Sequence, residues 1–420
     1  MNPAATRDPG APVSATSRPS APVDASAADL GARTMVMNFG PQHPATHGTL
    51  RNMLEVDGER ILKITPDIGY LHTGFEKLGE HRTYNQFVTV TDRMNYISPL
   101  SNNIGFAVAC EEMMGVPIPP RARVIRVILA ELSRIADHVL CTGLQAMDLG
   151  AFSVMLWTFI EREKLYDIFE RVTGTRLTTS YTRVGGLAHD VPSNFTDEVR
   201  TFVAKFPPLL AEVERMLDDN KIFRDRTIGI GAIPRDEAVS YGLTGPVLRA
   251  TGEAWDVRKA RPYLDYESYD FDVVAGADGD VWSRYKVRLG EMRESLKIVT
   301  QALDRLAPGP VFADDRHFAL PPKPLVYTKM EELIYHFKNV MIGHGIPSPP
   351  GEYYSSTEAP NGELGFYLIS DGSDRPWRLR IRPPSFYNYQ AVPRMMRGHM
   401  LPDMLSVLSS VNVIAGELDR

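Results

Sequence analysis

Apolar and polar positions alternate over TMVMNFG (34–40), TLRNMLEV (49–56) and RILKITPDIG (60–69), which predicts three strands. Asp57-Gly58 between the last two is a strong hairpin signal. The stretch between, GPQHPATHG (40–48), therefore joins the first strand to a hairpin, and Pro44 argues against any helix there. His43 and His47 lie four apart, a spacing that would share one face only on a helix. From Pro99 the period becomes helical. PLSNNIGFAVACEEMMG (99–115) ends at Gly115, with Pro117, Pro119 and Pro120 behind it. RARVIRVILAELSRIADHVLCTGLQAMDLG (121–150) follows, with Val124, Ile128, Leu132, Ile135 and Val139 forming an apolar face on a helix roughly 40 Å long. A third helix, about 151–173, is apolar nearly all round in its first half and is expected to lie buried. Further helices are predicted at about 193–219, 281–306 and 327–341, with short strands that include TSYTRVGG (179–186). ELGFYLISD (363–371) and RPWRLRIRPP (375–384) read as antiparallel strands with Gly372 at the turn. The pattern predicts an α+β fold: a helical-bundle core with small antiparallel β-sheets.

The chain has 420 residues, 43% of them hydrophobic, with a formal charge of −6. That suffices for a large core and for one to three domains. Residues 1–33, rich in Pro, Ala and Ser, read as a disordered tail that is retained; 34–98 as an antiparallel β region carrying the 40–48 loop; and 99–420 as the helical core with a C-terminal β-hairpin and terminal segment. Mild acidity without a Lys/Arg run gives no reason to expect nucleic acid. Cys110 and Cys141 are too few for a disulfide framework, which suits a reducing compartment. The most apolar run, LGAFSVMLWTFI (149–160), is too short to span a bilayer, which takes about 20 residues, so membrane association would come through partners.

Several motifs carry little. GIGAIP (229–234) lacks the third glycine of a dinucleotide fingerprint, and there is no P-loop. The chain has no Cys-x-x-Cys, so it cannot by itself ligate a four-cysteine cluster. Glu332 and His336, four apart on a helix, read as a solvated face. His43 and His47 could still bind metal, or be incidental in a proline-stiffened turn. Two clusters stand out beside that loop: Arg82, Tyr84, Asp92, Arg93, Asn95 and Tyr96 before one helix, and Asp148 at the far end of the long one. A carboxylate beside an apolar run is costly unless paired, so a histidine or arginine partner is expected for Asp148. Buried structural polar networks would explain both clusters equally well.

Longer stretches settle on a family. GPQHPATHG, IGYLHTGFEKLGEHRTYNQ (68–86), DRMNYISP (92–99), YTRVGGLAHDVP, DVRKARPY, VYTKMEELIYHFK and the terminal PDMLSVLSSVNVIAGELDR resemble the quinone-site, D-type component of bacterial respiratory complex I, the proton-pumping NADH:quinone oxidoreductase. The likeness covers about 34–420. That family is similar to nickel–iron hydrogenase large subunits, whose metal-holding Cys-x-x-Cys pairs are replaced here by LHTGFEK (71–77) and VNVIAGE (411–417). No metal site is expected, and hydrogenase activity is excluded on ligand grounds. The resemblance implies a quinone headgroup cavity against a small partner subunit that carries the terminal [4Fe-4S] cluster. It assigns His47 as the quinone-contacting histidine, Tyr96 as the tyrosine across the headgroup, Asp148 as the carboxylate linked to the histidine, and Arg93 as the arginine near the cluster, with His43 structural or a lesser quinone contact. It also implies a C-type neighbouring component, membrane-arm subunits, FMN and NADH bound by other subunits, no cofactor on this chain, and a peripheral place on the cytoplasmic side of a bacterial inner membrane.

The residue types suit the chemistry. Quinone reduction takes two electrons and two protons, and each carbonyl oxygen needs a donor as charge develops. Histidine can give a proton near neutral pH, and tyrosine holds its own until the dianionic product demands it. Asp148 would stabilise the imidazolium. Two positions depart from the family: Thr178, where many members carry a histidine near the cluster, and Asn412, where many carry aspartate. The competing reading is a cofactor-free scaffold subunit of a related ferredoxin-linked or membrane hydrogenase-type complex.

Overall fold

The structure, a computed structural model of the chain, describes residues 34–46, 48–315, 317–341, 346 and 348–420. The tail expected over 1–33 lies outside the described residues. Strands β1 (Thr34–Phe39), β2 (Arg51–Asp57) and β3 (Arg60–Asp67) form an antiparallel sheet in that order. Phe39 faces Asn52 and Asp57 faces Arg60 across the ladders. Gly58 takes φ +59°, the left-handed turn conformation that Asp-Gly favours. Alternation turns Leu54, Val56, Ile61 and Ile64 inward, into one apolar cluster with Met404, Val407, Leu408 and Val411 of the helix Asp403–Val411.

Two short helices that periodicity did not announce follow, α1 (Phe75–Glu80) and α2 (Tyr84–Thr91). The second begins in a capping box, Thr83 with Gln86. Helix α3 (Pro99–Met114) stops at Gly115, which is left-handed as a C-cap glycine should be. The helical core consists of α4 (Pro120–Asp148), α5 (Phe152–Thr173), α6 (Phe195–Asp218) and the helix Val281–Asp304, which share one large apolar cluster. Ile128, Leu132 and Ile135 of α4 are buried in it, as their spacing predicts. The opposite, charged face of α4 is buried too, with Glu131, Arg134, Asp137 and His138 at most 1% exposed.

Those charges are largely paired inside the fold. Arg258 bonds both oxygens of Glu131 at 3.1 Å and Asp256 at 2.7 Å. Arg249 bridges Glu291 and Glu358, each at 2.8 Å, and His138 Nε2 lies 2.9 Å from Glu291. Burial opposes ionisation of Glu131, yet Arg134, Arg258, Ser295 and Tyr266 hold its carboxyl down at about 2.

The first half of α5 corrects the expectation of burial. Phe152 is 55% and Ile160 59% exposed, and Leu156 and Trp157 are also exposed. The chain covers one side of this apolar helix and leaves the other open. The helix Met330–Val340 goes further: none of its residues is buried, and Met330, Leu333, Phe337 and Val340 stand exposed. The predicted C-terminal hairpin is present as β7 (Gly362–Ser370) and β8 (Arg378–Arg382), with Gly372 at φ +95° in the connection, but β6 (Gly351–Ala359) adds a third strand on the other edge of β7. Between α5 and α6, β4 (Thr182–Arg183) and β5 (Gly186–Leu187) form a minimal ladder. Helices and small antiparallel sheets together make an α+β fold. No described helix is long and apolar enough to cross a membrane.

Candidate functional site

The loop after β1 is built to be rigid. Gly40 sits at φ +82° with Leu50 O only 2.0 Å from where a Cβ would stand, so no other residue fits. Pro44–Thr46 form a single 3₁₀ turn. The His43 carbonyl accepts from the Thr46 amide at 2.9 Å and the Thr46 hydroxyl at 2.8 Å, while Nδ1 of the His43 ring accepts from the Ala45 amide at 3.2 Å. The ring also rests 4.5 Å from that of Phe39. His43 thus spends one ring nitrogen on its own turn, and the segment Pro44–Thr46 is a single 3₁₀ turn and not an α-helix. The Gln42 amide donates to Gly48 O at 3.1 Å and closes the loop at its base. Ala45 and Thr46 are buried, and Ala45 joins the apolar cluster of the helix Asp403–Val411. His47, at the tip between Thr46 and Gly48, lies outside the described residues.

Tyr96 lies on the turn between α2 and α3, and α3 holds that turn from behind. Asn102 Nδ2 donates to the carbonyls of Thr91 and Asn95 at 3.1 and 3.0 Å, and Asn103 Nδ2 donates to Asp92 Oδ1 at 2.8 Å. The C-terminal segment closes the other side: a Cβ on Gly416 would sit 2.5 Å from Arg93 O, so the two backbones touch. Burial pushes the half-buried Tyr96 phenol up, offset in part by a hydrogen bond from the Ala415 backbone. Such a phenol keeps its proton at neutral pH and gives it only to a strong base.

Asp148 ends α4. Burial pushes its carboxyl up to about 6. The histidine or arginine partner expected for it is not found among the described residues: no hydrogen bond or ion pair forms there. Two turns further back, Cys141 Sγ donates to Ser409 O at 3.4 Å, so that stretch of α4 leans on the same helix Asp403–Val411 as the loop.

Arg93 is exposed, and its guanidinium has no partner among the described residues. Its neighbour Asp92 is buried, accepts from the Ser180 amide at 3.2 Å and the Thr179 hydroxyl at 3.4 Å, and is pushed by burial up to about 6. Asp92 thus ties the turn that carries Arg93 to the segment Thr179–Ser180, next to Thr178 in the chain. Asn412, the second departure, has a physical reason. Its Nδ2 donates to Asp137 Oδ1 at 2.7 Å and to Asn361 Oδ1 at 2.7 Å. An aspartate there would press a second carboxylate onto Asp137, whereas the amide satisfies it.

Periodicity missed Glu417. It is fully buried on the short terminal helix Ala415–Asp419, accepting from the Ser385 hydroxyl at 3.0 Å, the Ser385 amide at 3.3 Å and Asn95 Nδ2 at 3.2 Å. Burial pushes its carboxyl up to about 8. The only trace in the sequence is an acid set directly behind the apolar run VNVIAG of the tail VNVIAGELDR. With it, the C-terminal segment 403–417 becomes the common backing of the loop, the end of α4 and the Tyr96 turn.

A polar loop, a tyrosine turn and the long helix α4 are thus each set against one terminal segment. Among the described residues, no three His, Cys, Asp or Glu side chains converge as metal ligands. The chain belongs to the family of the respiratory-chain NADH dehydrogenase 49 Kd subunit, whose model matches residues 148–420. It is 51% identical to the D-type component of NADH-quinone oxidoreductase from Geotalea uraniireducens over 386 residues, 92% of this chain and 98% of that one. It is likewise 51% identical to the same component from Leptospira biflexa over 391 residues, 93% and 96% of the two chains, and 50% identical to that from Methylacidiphilum infernorum over 397, 94% of each.

Proposed function

We propose that the chain is the quinone-reducing subunit of a proton-translocating NADH:quinone oxidoreductase, built on a hydrogenase-large-subunit-like fold that has lost its metal. What supports this reading is that Ala45 of the loop, the turn before Tyr96 and the Cys141 stretch of α4 each pack on the C-terminal segment 403–416, in a chain about half identical to NADH-quinone oxidoreductase D-type components.

In the reaction, the quinone accepts two electrons and two protons. The electrons come from a [4Fe-4S] cluster, which this chain cannot ligate: both of its cysteines are buried and isolated, and burial pushes the Cys141 thiol up to about 11. A small partner subunit holds the cluster, and NADH and FMN belong to other subunits. His47 gives one proton to a quinone carbonyl oxygen. Tyr96 gives the other once the opposite oxygen carries enough negative charge. Asp148 carries the compensating charge of the histidine, and its raised pKa lets it take up or release a proton near neutral pH. Arg93 faces the partner's cluster and stabilises its reduced, more negative form.

The exposed apolar faces of α5 and Met330–Val340 suit neighbouring subunits, including the cluster-bearing one and a C-type component. Membrane-arm subunits would hold the whole at the cytoplasmic side of the membrane. Replacing His47→Ala and Tyr96→Phe in the assembled complex tests the reading. Quinone reduction should fall by about 10²-fold or more with assembly intact, the usual worth of a positioned proton donor. Normal rates in both would favour the cofactor-free scaffold instead.

A further inference from the structure

Helix α4 carries Asp137, Cys141, Gln145 and Asp148 at spacings of four, four and three, with His138 beside them. At 100° per residue these five fall within an arc of about 100°, a polar stripe that leads over roughly 16 Å from the middle of the core to the site. The first four positions are at most 2% exposed. The stripe is only partly paired. Both polar atoms of the Gln145 side chain, Asp137 Oδ2 and His138 Nδ1 have no protein hydrogen-bond partner among the described residues. Neither do Nε and Nη2 of Arg162 on α5, nor Nε and Nη2 of Arg288 on the helix Val281–Asp304. Arg162 and Arg288 are 5% and 1% exposed, and both act electrostatically on Asp137. Arg288 and Asp148 act likewise on Cys141 between them.

Bare polar atoms buried in this way would cost about 1–3 kcal/mol each. Native interiors meet that cost with bound water, which takes about three hydrogen bonds per molecule. Gln145, a donor and an acceptor midway along the stripe, is the natural holder of such waters. Asp137 differs from the paired acids deeper in the core. One of its oxygens is tied to Asn412, the other is free, and burial raises its pKa. Beyond it, His138 is bound to Glu291, itself fixed by Arg249, so the stripe ends in a closed ion pair.

We propose that this seam is a hydrated proton relay, in which Asp137 stores a proton and passes it to Asp148 through waters held by Gln145. The proposal rests on the reading of Asp148 as part of the quinone site. The transfer is balanced: the Asp137 O–H bond breaks as a water oxygen takes the proton, and another proton of that water chain forms the O–H of Asp148. No electron moves. After a quinol has drawn its two protons, the store refills the site by one, and Asp137 regains its proton back along the same waters from Asp148 before the next turnover.

The test uses the assembled complex with Asp137→Asn, which keeps the Asn412 contact but carries no transferable proton, and Gln145→Leu, which replaces the water-holding amide by an apolar group of similar size. NADH:quinone turnover should fall roughly tenfold in each, with an enlarged solvent deuterium isotope effect, while NADH oxidation by a soluble ferricyanide acceptor stays at the parental level. Ordered waters between Gln145 and Asp137 in a high-resolution map of the complex are the second expectation. Parental turnover with a parental isotope effect in either variant, or a dry seam in the map, would overturn the relay. Loss of turnover in Tyr96→Phe with parental Asp137→Asn sinks the relay alone, whereas parental turnover in both His47→Ala and Tyr96→Phe sinks the site reading beneath it.

Discussion

Glu417→Gln gives the sharpest check on the C-terminal backing. The carboxyl is fully buried, and burial lifts it from 4.5 to about 8. At about 1.36 kcal/mol per unit, that shift corresponds to something on the order of 5 kcal/mol of native-state cost once the group must ionise. The sign is fixed by proton counting. Between pH 4.5 and about 8 the native state holds the proton and the unfolded chain does not, so stability falls as pH rises through this window. Glutamine, with its one oxygen in the place of Oε2, keeps the acceptor for the Ser385 hydroxyl and Asn95 Nδ2, gives up the longer Ser385 amide bond and cannot titrate. Urea unfolding of parent and variant at about pH 5, 6.5 and 8 should therefore show the variant gaining on the parent by about 4 kcal/mol across the series, with little difference at the acid end. A difference that stays constant with pH would show that Glu417 is ionised in the native state and that its bonds to Ser385 and Asn95 outweigh burial. That result would refute the reasoning.

Other perturbations read other parts of the fold. Arg126 grips both oxygens of Glu111 at 2.7 and 2.6 Å and also bonds the carbonyls of Arg183 and Gly186, so Glu111→Ala should cost about 3–5 kcal/mol in urea unfolding, and adding Arg126→Met should recover much of it. Gly245 sits at φ +68° with a would-be Cβ 2.4 Å from Asn361 O, so Gly245→Ala should lower the thermal midpoint by several degrees; an unchanged midpoint would mean that the β6–β7 turn moves freely. Thr178→His in the complex should give the partner's cluster a potential that falls with pH between about 6 and 8, where the parent's is nearly flat, and a parental slope equal to the variant's would remove Thr178 as the cause.

What the sequence could disclose follows from which signals are local. The hairpin at Asp57-Gly58, the stop at Gly115 and the apolar face of α4 rest on turn chemistry and periodicity, and each is where it was expected. Strand β6 escaped because its second half, SSTEA, buries polar residues through cross-sheet pairing that no local pattern reports. The first half of α5 misled for the opposite reason: apolar composition says that a surface will be covered, not whether the same chain covers it. The loop and its stiffness were legible from Gly40, Pro44 and the flanking strands, but the roles of His47, Tyr96 and Asp148 came from resemblance and not from spacing.

What remained illegible is the burial of charge, and there the pairing pattern itself separates scaffold from site. Deep in the core Glu131 and Glu291 are held at about 2 by arginines, and Asp256 is held low by Arg258 and Arg249 against the cost of burial. Glu358, sharing Arg249 with Glu291, is raised by burial and by Asp256, yet both its oxygens are bound. Asp92, Asp137, Asp148 and Glu417 have no such grip, and all four are raised by burial. Arg162 and Arg288 act on Asp137, and Arg183 on Asp92, without a hydrogen bond, so these acids lack the bonded arginine that offsets burial in the core. The four lie along α4, the Tyr96 turn and the terminal segment, where the fold buries carboxyls without the arginine clamps that hold Glu131 and Glu291 down, so each resists ionisation more than a free carboxyl does.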